Sequence, residues 1–203
     1  DHDCLHCYNA WRNTTPYPPA PWPAAELGTE ETLAMLARVV DESGVKDVTL
    51  TGGEPLLRDD VPAIVAMLQE RGCRITLITN GTHLGGDMLA RLPAEAIDLF
   101  ELPLLSADAA IHDQMSGRPG AFERVSEAVA DLKLAGATVV TVFVATKQNL
   151  PTFRDTAELA LALGADGLMF NRFNPGGRGA RHVAQLQPDV EALLSRYPWP
   201  GNV

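Results

Sequence analysis

From residue 29 onward, short apolar runs rich in β-branched residues alternate with stretches that place apolar side chains at helical spacing. Strands that are apolar almost throughout are typical of parallel sheets covered by helices on their faces. Repeated strand–helix units predict an α/β fold. The predicted strands span residues 48–51, 74–79, 99–104, 139–144 and 168–173. The predicted helices span residues 29–43, 60–71, 121–134 and 153–163, and Thr29 is the predicted N-cap of the first.

The length of 203 residues favours a single domain. Within it, residues 1–28 carry a cysteine pair and a proline-rich loop, residues 29–180 carry the strand–helix repeats, and residues 181–203 form a C-terminal tail. A sheet built from such repeats is either open or curled into a barrel.

Polar or glycine-rich clusters follow the predicted strands at the points where they end. In parallel α/β folds the functional groups collect at the carboxyl ends of the strands. We therefore expect one site at that end of the sheet, formed by the loops that carry these clusters.

Charge and composition exclude several classes of protein. The chain has 26 acidic and 16 basic residues, a net charge of −10, which makes binding to nucleic acid unlikely. The longest nearly apolar run, residues 137–145, is far shorter than the roughly 18 residues of a membrane span. Three cysteines do not make a disulfide framework. We expect a cytoplasmic protein without a membrane segment.

Two of the cysteines, Cys4 and Cys7, lie within the first seven residues. This spacing is found in thiol redox pairs, in zinc sites, here completed by His2 or His6, and in iron–sulfur sites. The cysteine pair by itself does not distinguish among these three kinds of site.

The first predicted strand runs into Gly52, Gly53, Glu54 and Pro55. Glycines at a strand end let the backbone approach a ligand closely, and the adjacent carboxylate is placed to accept a hydrogen bond from an ammonium group. The alternative is a tight turn in which Glu54 is merely solvated.

Together these motifs resemble the radical S-adenosylmethionine superfamily, peptide- and cofactor-maturase branch. Cys4 to Asn9 matches the second half of that family's C-x3-C-x2-C motif, and residues 52–55 match its glycine-rich loop. Residues 79–82 match a Thr-Asn-Gly turn after the third strand of the family's barrel. Further similarity lies at residues 112–125 and 171–179.

The resemblance implies a partial (β/α)6 TIM-like barrel whose first strand is missing from this chain. It also implies a 4Fe-4S cluster that cleaves S-adenosylmethionine to a 5′-deoxyadenosyl radical, which abstracts hydrogen from a peptide or small-molecule substrate. An electron donor such as flavodoxin or ferredoxin is implied as a partner.

Carried over to this sequence, the resemblance assigns two groups of residues. The metal ligands are Cys4 and Cys7. The S-adenosylmethionine-binding residues are His6 and Tyr8 near the adenine and cluster, Gly52, Gly53 and Glu54 at the ammonium, Thr79 and Asn80 in the same pocket, Arg124 at the methionine carboxylate, and Gly177 at the adenine. A surface arginine paired with Glu123 or Glu127 is the alternative for Arg124.

Two departures from the family pattern are visible. The first cluster cysteine would fall immediately before Asp1, so the chain as given is expected to hold the cluster poorly and to be inactive. Pro103 stands where the family commonly has serine. Two other functions therefore stay open: a non-catalytic barrel acting as a binding module, and a thiol redox or zinc protein that uses Cys4 and Cys7.

Overall fold

The structure is a computed structural model that describes residues 2–7 and 26–187. Its centre is a five-stranded sheet in which every pair of neighbours is parallel. The strands follow one another in chain order, which confirms the predicted α/β architecture. They are β1 (Asp47–Leu50), β2 (Arg74–Ile78), β3 (Leu99–Pro103), β4 (Val139–Ala145) and β5 (Gly167–Arg172).

Helices connect the strands, because parallel neighbours require a crossover. The four predicted helices are present as α1 (Thr29–Ser43), α2 (Val61–Glu70), α5 (Ala121–Leu134) and α6 (Phe153–Ala162). Three shorter helices were not predicted: α3 (Asp87–Arg91), α4 (Ala109–Ser116) and α7 (Val183–Leu186). No helix among the described residues is long and apolar enough to cross a membrane.

The start of α1 differs from the prediction by one residue. Gly28 is the N-cap, and its amide donates to the Glu31 carboxylate at 3.0 Å. Thr29 is therefore the first helical residue rather than the cap. The helix ends as predicted, with Gly44 at φ 68°, a left-handed conformation that glycine adopts without steric cost.

The two faces of the sheet differ in what they contact. On β4 the residues at 139, 141, 143 and 145 are buried, and the alternate positions are half-buried. Leu68, Phe100 and Leu132 are fully buried in the main hydrophobic cluster. Burying a side chain of this kind stabilises the fold by about 2 kcal/mol. The opposite face of the sheet carries Val142 and Val144, which line a cavity.

Candidate functional site

A cavity of about 910 Å³ lies at the carboxyl ends of the strands. Its wall is formed by the segment 2–7, the loop after β1, the ends of β2, β3 and β4, and the end of β5 with the residues that follow it. This is the edge where the sequence predicted a site.

The cysteine pair lines this cavity. The amide of Cys7 donates to the carbonyl of Cys4 at 3.3 Å, so the chain turns tightly between them. Both are half-buried thiols, and they form no disulfide with each other or with Cys73. The turn directs two soft metal ligands to one wall of the cavity.

The segment that carries the cysteines is held in place by backbone contacts with α4. Asp3 donates its amide to Ser116 at 3.1 Å, and Leu5 donates its amide to Met115 at 2.9 Å. These two acceptors are carbonyls at the C-terminal end of α4, which a helix leaves without partners of its own. The short helix that the sequence did not predict therefore positions the cysteine turn.

A second anchor comes from the loop after β5. The amide of Gly179 donates to the carbonyl of Cys7 at 3.1 Å, and Arg178 forms an ion pair with Asp3. The residues just before this anchor, Asn174 and Pro175, line the cavity.

Glu54 is bound within the protein, and only 7% of it is exposed. Its carboxylate accepts hydrogen bonds from the Thr79 hydroxyl at 2.6 Å, the Asn80 amide at 2.8 Å and the Leu56 amide at 3.1 Å. Glu54 is therefore not a solvated turn residue. These bonds join the loop after β1 to the end of β2 and fix the carboxylate at the cavity wall.

The two glycines before Glu54 leave space beside it. A Cβ atom on Gly52 or Gly53 would have no other heavy atom within 4 Å, and the φ of Gly52 is 154°. Other residues rarely adopt that angle, so Gly52 is required for the backbone path. Both glycines line the cavity, and a ligand can approach their backbone closely.

His6, between the cysteines, also lines the cavity. Its Nδ1 atom is shielded from solvent and has no hydrogen-bond partner in the structure. Burial lowers the pKa of His6 to about 4, so the ring is neutral near pH 7. An orphaned ring nitrogen at a cavity wall is available to a bound molecule.

The predicted site residues separate into those at the cavity and those elsewhere. Tyr8 lies outside the described residues. Gly177 begins the turn Gly177–His182 and is not part of the cavity wall. The predicted site residues that line the cavity are Cys4, His6, Cys7, Gly52, Gly53, Glu54, Thr79 and Asn80.

Arg124 is not at the cavity. It lies on the outer surface of α5, with its side chain 63% exposed and 3.4 Å from the Glu127 carboxylate. Both residues border a separate depression at the start of that helix. The structure thus matches the alternative that the sequence left open for Arg124, a surface arginine paired with Glu127. The physical reason is its place on α5, whose buried face is formed by residues such as Val125, Ala128 and Leu132.

Two charged side chains of the cavity wall, Glu101 and Arg172, are not among the residues assigned to the site from the sequence. From the sequence, Arg172 is expected at a strand end that faces the site, with either a substrate contact or structural hydrogen bonding as its role, and Glu101 is expected only as part of a strand. The signal for Glu101 was the alternation along β3, because Phe100 and Leu102 are buried in the core and their neighbours must face the other way.

The residues present fit a 4Fe-4S cluster and S-adenosylmethionine in part. Cys4 and Cys7 supply two thiolates of the kind that bind iron–sulfur clusters, and the orphaned His6 nitrogen and the open glycine wall leave room for a polar organic ligand. Residues 2–7 and 26–187 contain no group of three His, Cys, Asp or Glu side chains placed to hold a metal ion.

Comparison with known proteins gives one family. Residues 1–160 match the Radical SAM superfamily. The AdoMet-dependent heme synthase of Methanosarcina barkeri is 32% identical over 95% of this chain and 53% of its own length. The PqqA peptide cyclase of Granulibacter bethesdensis is 33% identical over 83% of this chain and 45% of its own length.

Solved structures share the fold. Streptococcus suis SuiB bound to its precursor peptide SuiA superposes with a TM-score of 0.69 at 18% identity, over 86% of this chain and 37% of that one. The same protein bound to S-adenosylmethionine gives a TM-score of 0.68 at 19% identity, over 86% of this chain and 38% of that one. The chain spans about half the length of the curated relatives it matches.

Proposed function

The chain belongs to the radical SAM superfamily, and on that premise we propose that it forms the S-adenosylmethionine site of an enzyme that modifies a peptide. The observation that carries the proposal is the convergence of Cys4, Cys7 and the Glu54 loop on one cavity. These groups are separated by some fifty residues of sequence, and the fold brings them to the same cavity wall.

Each group has a role at the cavity. Cys4 and Cys7 would each hold one iron of a 4Fe-4S cluster through the thiolate. When bound, the cluster supplies the electron that cleaves S-adenosylmethionine to the hydrogen-abstracting radical. Glu54 accepts a hydrogen bond from the methionine ammonium beside Gly52 and Gly53, because its three internal donors leave one lone-pair site of the carboxylate, on Oε2, unused.

The end of β2 and the cysteine turn complete the pocket. Asn80 accepts from the Thr82 amide through its side-chain oxygen at 2.9 Å, which fixes the loop after β2. Thr82 in turn bonds the ring of His2 at 2.9 Å, so this loop and the cysteine segment are held together. His6, which lines the cavity between the two cysteines, is assigned to the adenine. A one-electron donor of the flavodoxin or ferredoxin type would supply the electron that the cluster needs.

A peptide is the proposed substrate for two reasons. The Granulibacter relative is named as a peptide cyclase, and SuiB was solved with a precursor peptide. The Methanosarcina relative is named as a heme synthase and matches more of this chain, which favours a tetrapyrrole-sized small molecule as the second candidate.

Iron binding tests the proposal directly. The full-length natural protein is reconstituted anaerobically with iron and sulfide, and its iron content and electron paramagnetic resonance spectrum are measured. Cys4→Ala is expected to lose the cubane signal and most of the bound iron. Cys73→Ala is the matched control, because Cys73 is a buried thiol beside the Val45 carbonyl and is not part of the cavity wall.

The same preparations distinguish a radical enzyme from a zinc protein and from a non-catalytic binding module. Dithionite-dependent formation of 5′-deoxyadenosine is expected from the wild type and not from Cys4→Ala. Full iron content in Cys4→Ala would contradict the assignment of the cluster. Zinc in place of iron would identify the protein as a zinc protein, and a cluster without S-adenosylmethionine cleavage would identify it as a non-catalytic binding module.

A further inference from the structure

Glu101 is a carboxylate on the inner wall of the cavity. It lies on β3, the middle strand of the sheet, in register with Ile78 on β2 and Val140 on β4. Its neighbours Phe100 and Leu102 are fully buried on the opposite face. The alternation of the strand therefore turns Glu101 toward the cavity, whose wall it helps to form.

Glu101 differs from Glu54 in having no partner. Glu54 accepts three hydrogen bonds from within the protein. Among the described residues, the Glu101 side chain takes part in no hydrogen bond or ion pair. A half-buried carboxylate that is left unpaired costs stability. A ligand that neutralises it recovers that cost on binding.

The wall beside Glu101 is apolar. Pro103 follows it on the same face of β3, and Val142 and Val144 continue the wall on β4. Apolar neighbours strengthen the attraction between Glu101 and an opposite charge, because they exclude water from the pair.

Among the cavity residues that the structure describes, Arg172 is the only lysine or arginine. Glu101 is in register with Val140 on β4, and Val140 is in register with Gly167 on β5. Arg172 lies at the end of β5, five residues beyond Gly167. At about 3.3 Å per strand residue, Arg172 is roughly 16 Å farther along the sheet. Glu101 is thus left for a group that enters the cavity from outside.

We propose that Glu101 binds a positively charged group of the substrate, of the kind carried by a lysine or arginine side chain of a peptide. This inference rests on the proposed function and names the chemistry of the substrate for the same cavity. The cation lies against the carboxylate, and its hydrocarbon stem lies along Pro103, Val142 and Val144.

S-adenosylmethionine is the competing partner for Glu101. The groups assigned to its ammonium lie in the loop after β1, where Glu54 is bonded to Thr79 and Asn80 at the end of β2. Glu101 faces the cavity from β3, between that side and the apolar wall of β4. Glu101 therefore lies apart from the residues that bind the cofactor's ammonium, and its position suits a cation of the substrate.

Fluorescence anisotropy with labelled hexapeptides tests the proposal. The peptides are identical except for one central residue, which is lysine or its uncharged analogue norleucine, and the protein is the full-length natural chain saturated with S-adenosylmethionine. The wild type is expected to bind the lysine peptide about tenfold more tightly. In Glu101→Gln the ratio is expected to fall to near one. Glu101→Lys is expected to prefer a peptide with glutamate at that position.

The control is Glu70→Gln, which removes an equal charge from the exposed end of α2, away from the cavity. It is expected to keep the wild-type ratio. A wild-type ratio near one, or an unchanged ratio in Glu101→Gln, would overturn the proposal.

Calorimetric titration with S-adenosylmethionine provides the second readout. Its affinity is expected to change less than twofold in Glu101→Gln. A tenfold loss would overturn the proposal and assign Glu101 to the cofactor. Cleavage of S-adenosylmethionine by the wild type is measured separately, so a protein that discriminates between the peptides but does not cleave would refute the proposed function alone.

Discussion

The hydroxyl of Thr79 donates a hydrogen bond of 2.6 Å to the carboxylate of Glu54, although the two residues are 25 positions apart in the chain. The same carboxylate receives the backbone amide of Asn80. Glu54 therefore has two tasks, because it closes the junction between two strand-end loops and presents charge to the cavity.

The first prediction concerns this double role. Glu54→Ala leaves the Leu56 and Asn80 amides without their acceptor, and unsatisfied buried donors cost about 1–3 kcal/mol each. We expect the free energy of unfolding in urea to fall by about 3 kcal/mol. Glu54→Gln keeps one oxygen acceptor and should lose roughly half as much. Equal stability of Glu54→Ala and wild type would show that the junction contributes nothing.

The second prediction concerns Gly117, which has φ 66° and packs against the backbone of Asp3. A Cβ atom there would collide with the Asp3 carbonyl, so Gly117→Ala should push the cysteine segment away from α4. The expected result is faster hydrogen exchange at the amides of Asp3 and Leu5, which bond to the end of α4.

Gly44 is the matched control for this change. Its φ is 68°, and a Cβ atom on it would meet nothing within 4 Å. Gly44→Ala therefore carries the same backbone strain, about 1 kcal/mol, without the collision. Faster exchange at Asp3 and Leu5 in both variants would attribute the effect to global destabilisation and not to the contact.

Local rules predicted much of this molecule from sequence. The predicted strand ends lie within about one residue of the ends in the structure. Gly44, Gly72 and Gly136 each mark a helix end, and each has a positive φ. The helix α4 was missed because eight residues carry little periodic signal, although its N-cap is conventional, with Asp108 accepting from the Ile111 amide at 3.1 Å.

The site was predictable only as far as strand ends and motifs determine it. The glycine loop and the cysteine pair met at the expected edge. The bond between Glu54 and Thr79 depends on how two loops pack together, and the exposure of Arg124 depends on how α5 is rotated about its axis. Both are tertiary properties that the spacing of residues in one segment does not contain.

The third prediction uses His112, which is 1% exposed and whose Nδ1 accepts from the Leu105 amide at 3.2 Å. Burial lowers the pKa of His112 to about 4 from 6.5; the charges of His2 and His6 lower it further, and Asp113 opposes the shift. Between those values the unfolded chain binds more protons than the folded one, so stability falls as the pH falls.

Replacement of the ring isolates this effect. In His112→Asn the amide oxygen can still accept from Leu105, but no proton is taken up. We expect the stability advantage of the wild type over this variant to shrink by about 2 kcal/mol between pH 6.5 and about pH 5, measured by urea unfolding. Parallel pH profiles of the two proteins would contradict the assignment.

The fourth prediction concerns Arg124, where the sequence left two outcomes open. Its pair with Glu127 joins side chains that are 63% and 65% exposed, and such pairs contribute little because solvent screens them. Arg124→Lys keeps the charge and should change the free energy of unfolding by less than about 0.5 kcal/mol. Its affinity for S-adenosylmethionine should equal that of the wild type, because the residue borders a depression separate from the cavity. Calorimetric titration with S-adenosylmethionine compares Arg124→Lys with Glu54→Gln, a variant that alters the cavity wall itself. A tenfold loss of affinity in Arg124→Lys would show that α5 turns this side chain toward the cofactor when it binds.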